Sequence, residues 1–249
     1  MPGIPLVERS ARPLVGWVVD VQNDFMNPPA LGGRLYVADL TDSSDVGAAS
    51  VQPILERAVE WMRANCVTII YSADWHGADD AEIDAVSPDP SSGTYPPHCM
   101  GRSEDPDEQD GAAIIASIRP SDPLILDRDT DEAAVGALAR MSVTERRPVI
   151  IRKNEFDVFT GNPHTEAFVS ALTETLGMEP EFVVIGVSRD VCVTRAVDGL
   201  QARGYSTIAL RDATWGLGLE SESDTLARWR RGGMVVSLAE LTAGITHAQ

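Results

Sequence analysis

The chain has 249 residues, 43% of them hydrophobic and 23% charged, the make-up of a globular protein large enough to bury a sizeable core. Its net charge of −18 repels phosphate backbones and anionic membrane surfaces, and no apolar run approaches the roughly 18–20 residues that span a bilayer, so nucleic-acid and membrane partners are excluded. Three cysteines, Cys66, Cys99 and Cys192, are too few for a secreted disulfide framework, and the N-terminal stretch MPGIPLVERSARPLVGW lacks the layout of a signal peptide; the expected location is the cytoplasm.

In chain order, the run LVGWVV (14–19) predicts a first strand and is followed by a helical pattern over 51–64. VTIIYS (67–72) predicts the second strand, and residues 77–110, rich in Asp, Pro, Ser and Gly, read as a long loop of the functional or mobile kind. A helix is expected over 110–118. An insertion at about 119–147 holds a candidate extra strand, LILD (124–127), and a helix over 132–141. PVIIR (148–152), FVVIGV (182–187), STIAL (206–210) and the weaker MVVSL (234–238) predict further strands, separated by helical patterns at 163–176, 191–203 and 221–231. Short, continuously apolar runs suit strands buried on both faces of a parallel sheet. The alternation predicts an α/β fold: a single three-layer domain over 1–249, with a central sheet of about six parallel strands and helices on both faces.

Polar groups fall at the ends of these runs. Asp20 ends the first, Asp74 closes the second, Lys153 ends the third main run, and Cys192 lies just beyond FVVIGV. Open parallel sheets bind ligands outside the carboxyl ends of their strands, so four separate segments deliver a thiol, an amine and two carboxylates to one edge. At the start of the helix over 191–203, backbone N–H groups and the helix dipole favour a thiolate at Cys192 and can hold an oxyanion. The alternative is an inert buried thiol. Lys153 would stabilise the thiolate and be held by Asp20, and Asp20 would carry the thiol proton to a leaving amine; the ordinary alternatives are a solvated lysine and a turn cap. Asp74 and His76 lie on one face of an extended chain. With His98 they make an Asp/His₂ set suited to a catalytic divalent metal ion, with zinc first and iron or manganese as alternatives; the ordinary alternative is hydrogen-bonded structural histidines. Asp80, Glu82 and Asp84 are candidate additional ligands or a charged solvated loop. Cys66 is expected in the core, and Cys99 either lines the site or packs.

Together, VVDVQNDF (18–25), ADWH (73–76), PPHC (96–99), IRKNEFDVF (151–159) and GVSRDVCVTRAVDGLQARGY (186–205) resemble, in order, the motifs of isochorismatase-like cysteine hydrolases, nicotinamidase (pyrazinamidase) branch. The resemblance implies Asp20, Lys153 and Cys192 as catalytic residues and Asp74, His76 and His98 as metal ligands. It also implies a cis peptide at Val187–Ser188 that turns a backbone N–H toward the oxyanion beside the N–H of Cys192. The implied reaction converts nicotinamide or a related small amide to the acid and ammonia through a thioester. Phe25, Trp75 and Tyr95 are the expected contacts to the ring, and a homo-oligomer is the family's usual assembly. The loop GADDAEIDAV after His76 departs from the family's usual sequence. Competing readings are a relative acting on another small amide or ureido compound, a non-catalytic binding protein on this fold, and a thiol redox sensor.

Overall fold

The computed structural model describes residues 12–244; residues 1–11, which hold most of the N-terminal stretch read above, and residues 245–249 lie outside the described residues. Seven strands form one sheet: β1 (Leu14–Val19), β2 (Thr68–Asp74), β3 (Leu124–Leu126), β4 (Val149–Lys153), β5 (Glu181–Val187), β6 (Ser206–Trp215) and β7 (Gly233–Val236). They run in the order β3-β4-β2-β1-β5-β6-β7, and every pairing is parallel. Among the described residues the sheet thus has seven strands where about six were expected. The seventh is the LIL segment of the insertion, added beside β4 at the edge.

The helices are α1 (Asn23–Met26), α2 (Gln52–Asn65), α3 (Pro106–Ala112), α4 (Glu132–Thr144), α5 (Val158–Gly161), α6 (Thr165–Leu176), α7 (Thr194–Ala202), α8 (Glu222–Trp229) and α9 (Leu238–Thr242). In α2, Pro53 occupies the first turn, where its missing N–H costs nothing, and Leu55, Ala58, Val59 and Met62 recur at helical spacing to make one buried face. That face and α9 cover one side of the sheet, over Val18, Tyr71, Val183 and Ile185. The apolar faces of α4, α6, α7 and α8 cover the other, over Val15, Trp17, Ile151 and Val184. The strand period of two is visible in β1: Val15, Trp17 and Val19 point to one layer and Val18 to the other. Trp17 is fully buried and meets Phe182 edge-on at 5.7 Å. Each large apolar side chain buried in this way contributes about 1.5–3 kcal/mol.

Two expected helices differ in extent. The helix expected at 110–118 is α3, four residues earlier, because Asp105 caps Asp107 N–H and Pro106 opens the first turn. Beyond it Ile114 pairs with Gln22 in an isolated bridge. The helix expected at 191–203 begins with a π turn, Arg189–Val193, and becomes α-helical only at Thr194.

Candidate active site

β1, β2 and β4 end side by side, in register through Ala73↔Arg152 and Asp74↔Lys153, and β5 flanks β1 on the other side. The chain winds outward in both directions from β1, so the crevice beyond these strand ends is a topological switch point. Asp20 follows β1 with φ of +50°, a left-handed conformation rarely taken by a non-glycine residue, which is a signature of functional sites. Gly186, at φ +129°, stands where a Cβ would strike the carbonyl oxygen of Val19. This close approach draws β5 against the end of β1, and the register of β5 with β6 shifts there. The Val187–Ser188 peptide that follows is cis, as the resemblance implied, and the π turn then places Cys192.

Lys153 is the centre of the cluster. Its side chain is 1% exposed, its Nζ lies 2.9 Å from Asp20 Oδ2, and it bonds Asp74 Oδ1 directly. The same Nζ donates to Glu155 O at 3.1 Å and lies 3.9 Å from Cys192 Sγ. Asp20 also accepts from Ser72 Oγ at 3.0 Å. Burial raises the Asp20 carboxyl above the ordinary carboxylate range against the opposing pull of Lys153. Burial also works to raise Asp74, but Lys153 and His76 outweigh it and hold that carboxyl low. Asp74 is therefore the steady counter-ion and Asp20 the group that readily gains a proton. Burial pushes the Cys192 thiol well up despite Lys153. Desolvation thus opposes the thiolate that the nearby ammonium favours.

Asp74 also joins this cluster to the two histidines. Asp74, His76 and His98 bring one ligand atom each within 4.8 Å of one another, and all three are buried. His76 Nε2 stands 3.9 Å from Asp74 Oδ2 and 3.8 Å from Glu82 Oε2. His98 Nδ1 donates to Pro96 O at 2.8 Å, leaving Nε2 as the free lone pair, and burial lowers its pKa to about 4, which keeps the imidazole neutral. Both ring nitrogens of His76 and Glu82 Oε2 are buried without a hydrogen-bond partner. Orphaned lone pairs converging beside a carboxylate fit a divalent cation. Of the further acidic candidates, Glu82 turns its orphaned oxygen to His76 while the other accepts from Phe156 N–H at 2.9 Å. Asp80 is engaged by Asn154, Gly77 and Arg102, 3.4 Å from His76 Nδ1. Asp84 caps Val86 and Ser87 at the surface. The second acid–thiol group, Asp20, Asp74 and Cys192, already surrounds the Lys153 ammonium.

The supporting contacts were less legible. Gln22 receives Asp74 N–H and donates to Asp74 O and Ala112 O, fixing the end of β2. Asp24 is fully buried and accepts Cys99 N–H at 2.6 Å, while Cys99 O receives His76 N–H. This chain of bonds ties both histidine segments together and makes Cys99 a packed structural residue. Cys66 lies in the core, as expected. Gln22 and Asp24 sit inside VVDVQNDF, so their sequence signal was proximity alone.

A cavity of about 300 Å³ opens onto Cys192, Ser188, Asp74 and His98. Phe25 and Tyr95 line it. Trp75 does not: it alternates to the opposite side from Asp74 and His76, with the Arg152 guanidinium 3.9 Å over its ring. Phe156, from the IRKNEFDVF segment, adds to the wall, and Tyr36 and Leu40 in the loop after α1 and Leu217 after β6 come from segments no motif pointed to.

An isochorismatase domain model matches residues 17–240. No curated protein sequence matches significantly. Among solved structures the chain is similar to a nicotinamidase/pyrazinamidase from Bacillus subtilis, at 15% identity over 90% of this chain and 100% of that one, with a TM-score of 0.61. It is similar to the pyrazinamidase of Pyrococcus horikoshii in complex with zinc, at 21% identity over 90% and 99%, TM-score 0.60. It is also similar to N-carbamoylsarcosine amidase from Thermoplasma acidophilum, at 21% identity over 90% and 96%, TM-score 0.56. At these identities the likeness is one of fold.

Proposed function

The chain belongs to the isochorismatase family, and from that premise we propose that it is a cysteine amidohydrolase converting nicotinamide or a related small amide to the carboxylic acid and ammonia. The observation that carries this reading is the buried Asp20–Lys153–Cys192 cluster, with Lys153 2.9 Å from Asp20 and 3.9 Å from the thiol, at the floor of an apolar cavity.

The thiol proton of Cys192 must leave as the sulfur attacks the amide carbon. Asp20, raised by burial and with a carboxylate oxygen within 4.8 Å of the sulfur, receives it. The carbonyl oxygen becomes an oxyanion, which the backbone N–H groups of Ser188 and Cys192 are assigned to hold. The C–N bond then breaks, Asp20 passes its proton to the departing nitrogen, and ammonia leaves a thioester on Cys192. Water enters with Asp20 as base, and collapse of the second tetrahedral intermediate releases the acid while the proton returns to sulfur. Throughout, Lys153 holds Asp20 in place and offsets the charge moving between oxygen and sulfur. Asp74, His76 and His98, with Glu82 within reach, would hold a divalent ion, which supplies a Lewis acid beside the nucleophile to bind and orient a substrate donor atom or water.

The test is ammonia release from nicotinamide and a panel of small primary amides by purified protein and by Cys192→Ala. Release by the wild type that drops by more than about 10³-fold in the variant is expected. Retention of activity within about tenfold would remove Cys192 as nucleophile, and no release from any amide by metal-replete protein would overturn the reaction class.

A further inference from the structure

Resting on the amidohydrolase reading, we infer that the acyl portion of the substrate is uncharged and apolar and extends beyond a single ring, to contact Tyr36, Leu40 and Leu217. The side on which the leaving nitrogen must sit is closed: Asp20, Ser72 and Lys153 are at most 1% exposed, so that end accepts only a small leaving group such as ammonia. All remaining space lies toward the mouth. At about 300 Å³ the cavity reaches the range of pockets that take drug-sized ligands, well beyond a one-ring amide held between Phe25 and Tyr95.

The outer wall is built for its place. Leu40 N–H bonds Leu217 O at 2.9 Å, and Asp45 Oδ2 receives both Asp39 N–H and Trp215 Nε1–H. Tyr36 is anchored by its hydroxyl to Val46 O at 2.6 Å. From the other side, the Asp190 carboxylate accepts Leu217 N–H at 2.9 Å and Leu219 N–H at 2.7 Å, two residues before the nucleophile. The loop after α1 and the loop after β6 are thus clamped to each other and to the Cys192 turn. Leu40 nevertheless keeps 62% of its surface exposed at the cavity mouth. An apolar ligand segment would cover it, a favourable burial.

Charge selects in the same direction. Asp74 is the one charged side chain among the described residues lining the cavity. A carboxylate on the distal part of a substrate would meet no arginine or lysine there and would be desolvated without a partner.

The experiment compares kcat/KM for nicotinamide, biphenyl-4-carboxamide, the more flexible 4-benzylbenzamide and 4′-carboxybiphenyl-4-carboxamide, in the wild type and in Leu40→Asp and Leu217→Ala. The wild type is expected to favour at least one of the two neutral extended amides over nicotinamide by about tenfold or more and to discriminate against the carboxylate by a similar factor. In the variants, the extended-to-nicotinamide ratio should fall to within about twofold of one. Nicotinamide preferred over both extended amides, or a ratio unchanged in both variants, overturns this inference and leaves the amidohydrolase reading standing. Failure of the wild type to hydrolyse any amide overturns the reaction class itself and the inference with it.

Discussion

Replacing Lys153 with methionine isolates the electrostatics of the candidate site, because methionine keeps nearly the same length and fills the same volume. The ammonium is 1% exposed and neutralises Asp20 at 2.9 Å and Asp74 in direct contact. Without it, two enclosed carboxylates lose their shared counter-ion. Breaking a buried ion pair by removing one partner costs about 3–5 kcal/mol, because the remaining charge stays desolvated. For a protein of this size that corresponds to a fall of roughly 6–20 °C in Tm. The assay is denaturant unfolding of wild type and Lys153→Met in the presence of a chelator, so that Asp74 has no other cation to pair with. Adding Asp20→Asn to the variant removes one stranded charge and should return at least ~1 kcal/mol, a coupling that independent sites do not show. A loss below ~1 kcal/mol for Lys153→Met, with no recovery in the double variant, would refute the assignment of Lys153 as the counter-ion of two ionised carboxylates.

His98→Ala removes one of the three converging ligands and is expected to lower bound divalent metal by at least about tenfold in affinity; full metal content on elemental analysis takes His98 out of the ligand set. Glu240→Gln tests a linkage far from the site. The Arg211 guanidinium and Ser237 N–H hold the Glu240 carboxyl down at about 2, so its contribution is fully present above the unfolded carboxylate range and is lost as pH falls toward 2. The stability gap between wild type and Glu240→Gln should be full at neutral pH and visibly smaller at about pH 3; a gap that does not change with pH contradicts the linkage.

The layer order and the chemistry-bearing residues were legible in the sequence because each rests on a local rule. Runs such as FVVIGV are apolar on both faces, which only a doubly covered strand can use, and polar residues at the ends of four such runs can meet only at the carboxyl edge of a parallel sheet. Asp20, Asp74, Lys153 and Cys192 do meet there, and His76 and His98 converge on Asp74.

What tertiary structure decided is everything that depends on enclosure and on which distant segments touch. Local reasoning at Cys192 weighs a helix start and a lysine, which both stabilise the anion, but the fold sets the sulfur on a buried π turn whose desolvation opposes them. Trp75 and Tyr95 carry the same aromatic signal, but strand alternation sends Trp75 under Arg152 and the fold brings Tyr95 into the cavity. Glu82 and Asp84 stand two residues apart in one acidic loop, and only the packing of that loop against Phe156 buries the first and leaves the second at the surface. Tyr36, Leu40 and Leu217 have no periodic or motif signal at all. They become one wall because a backbone hydrogen bond joins Leu40 to Leu217 across the chain, a contact that no local pattern of residues encodes.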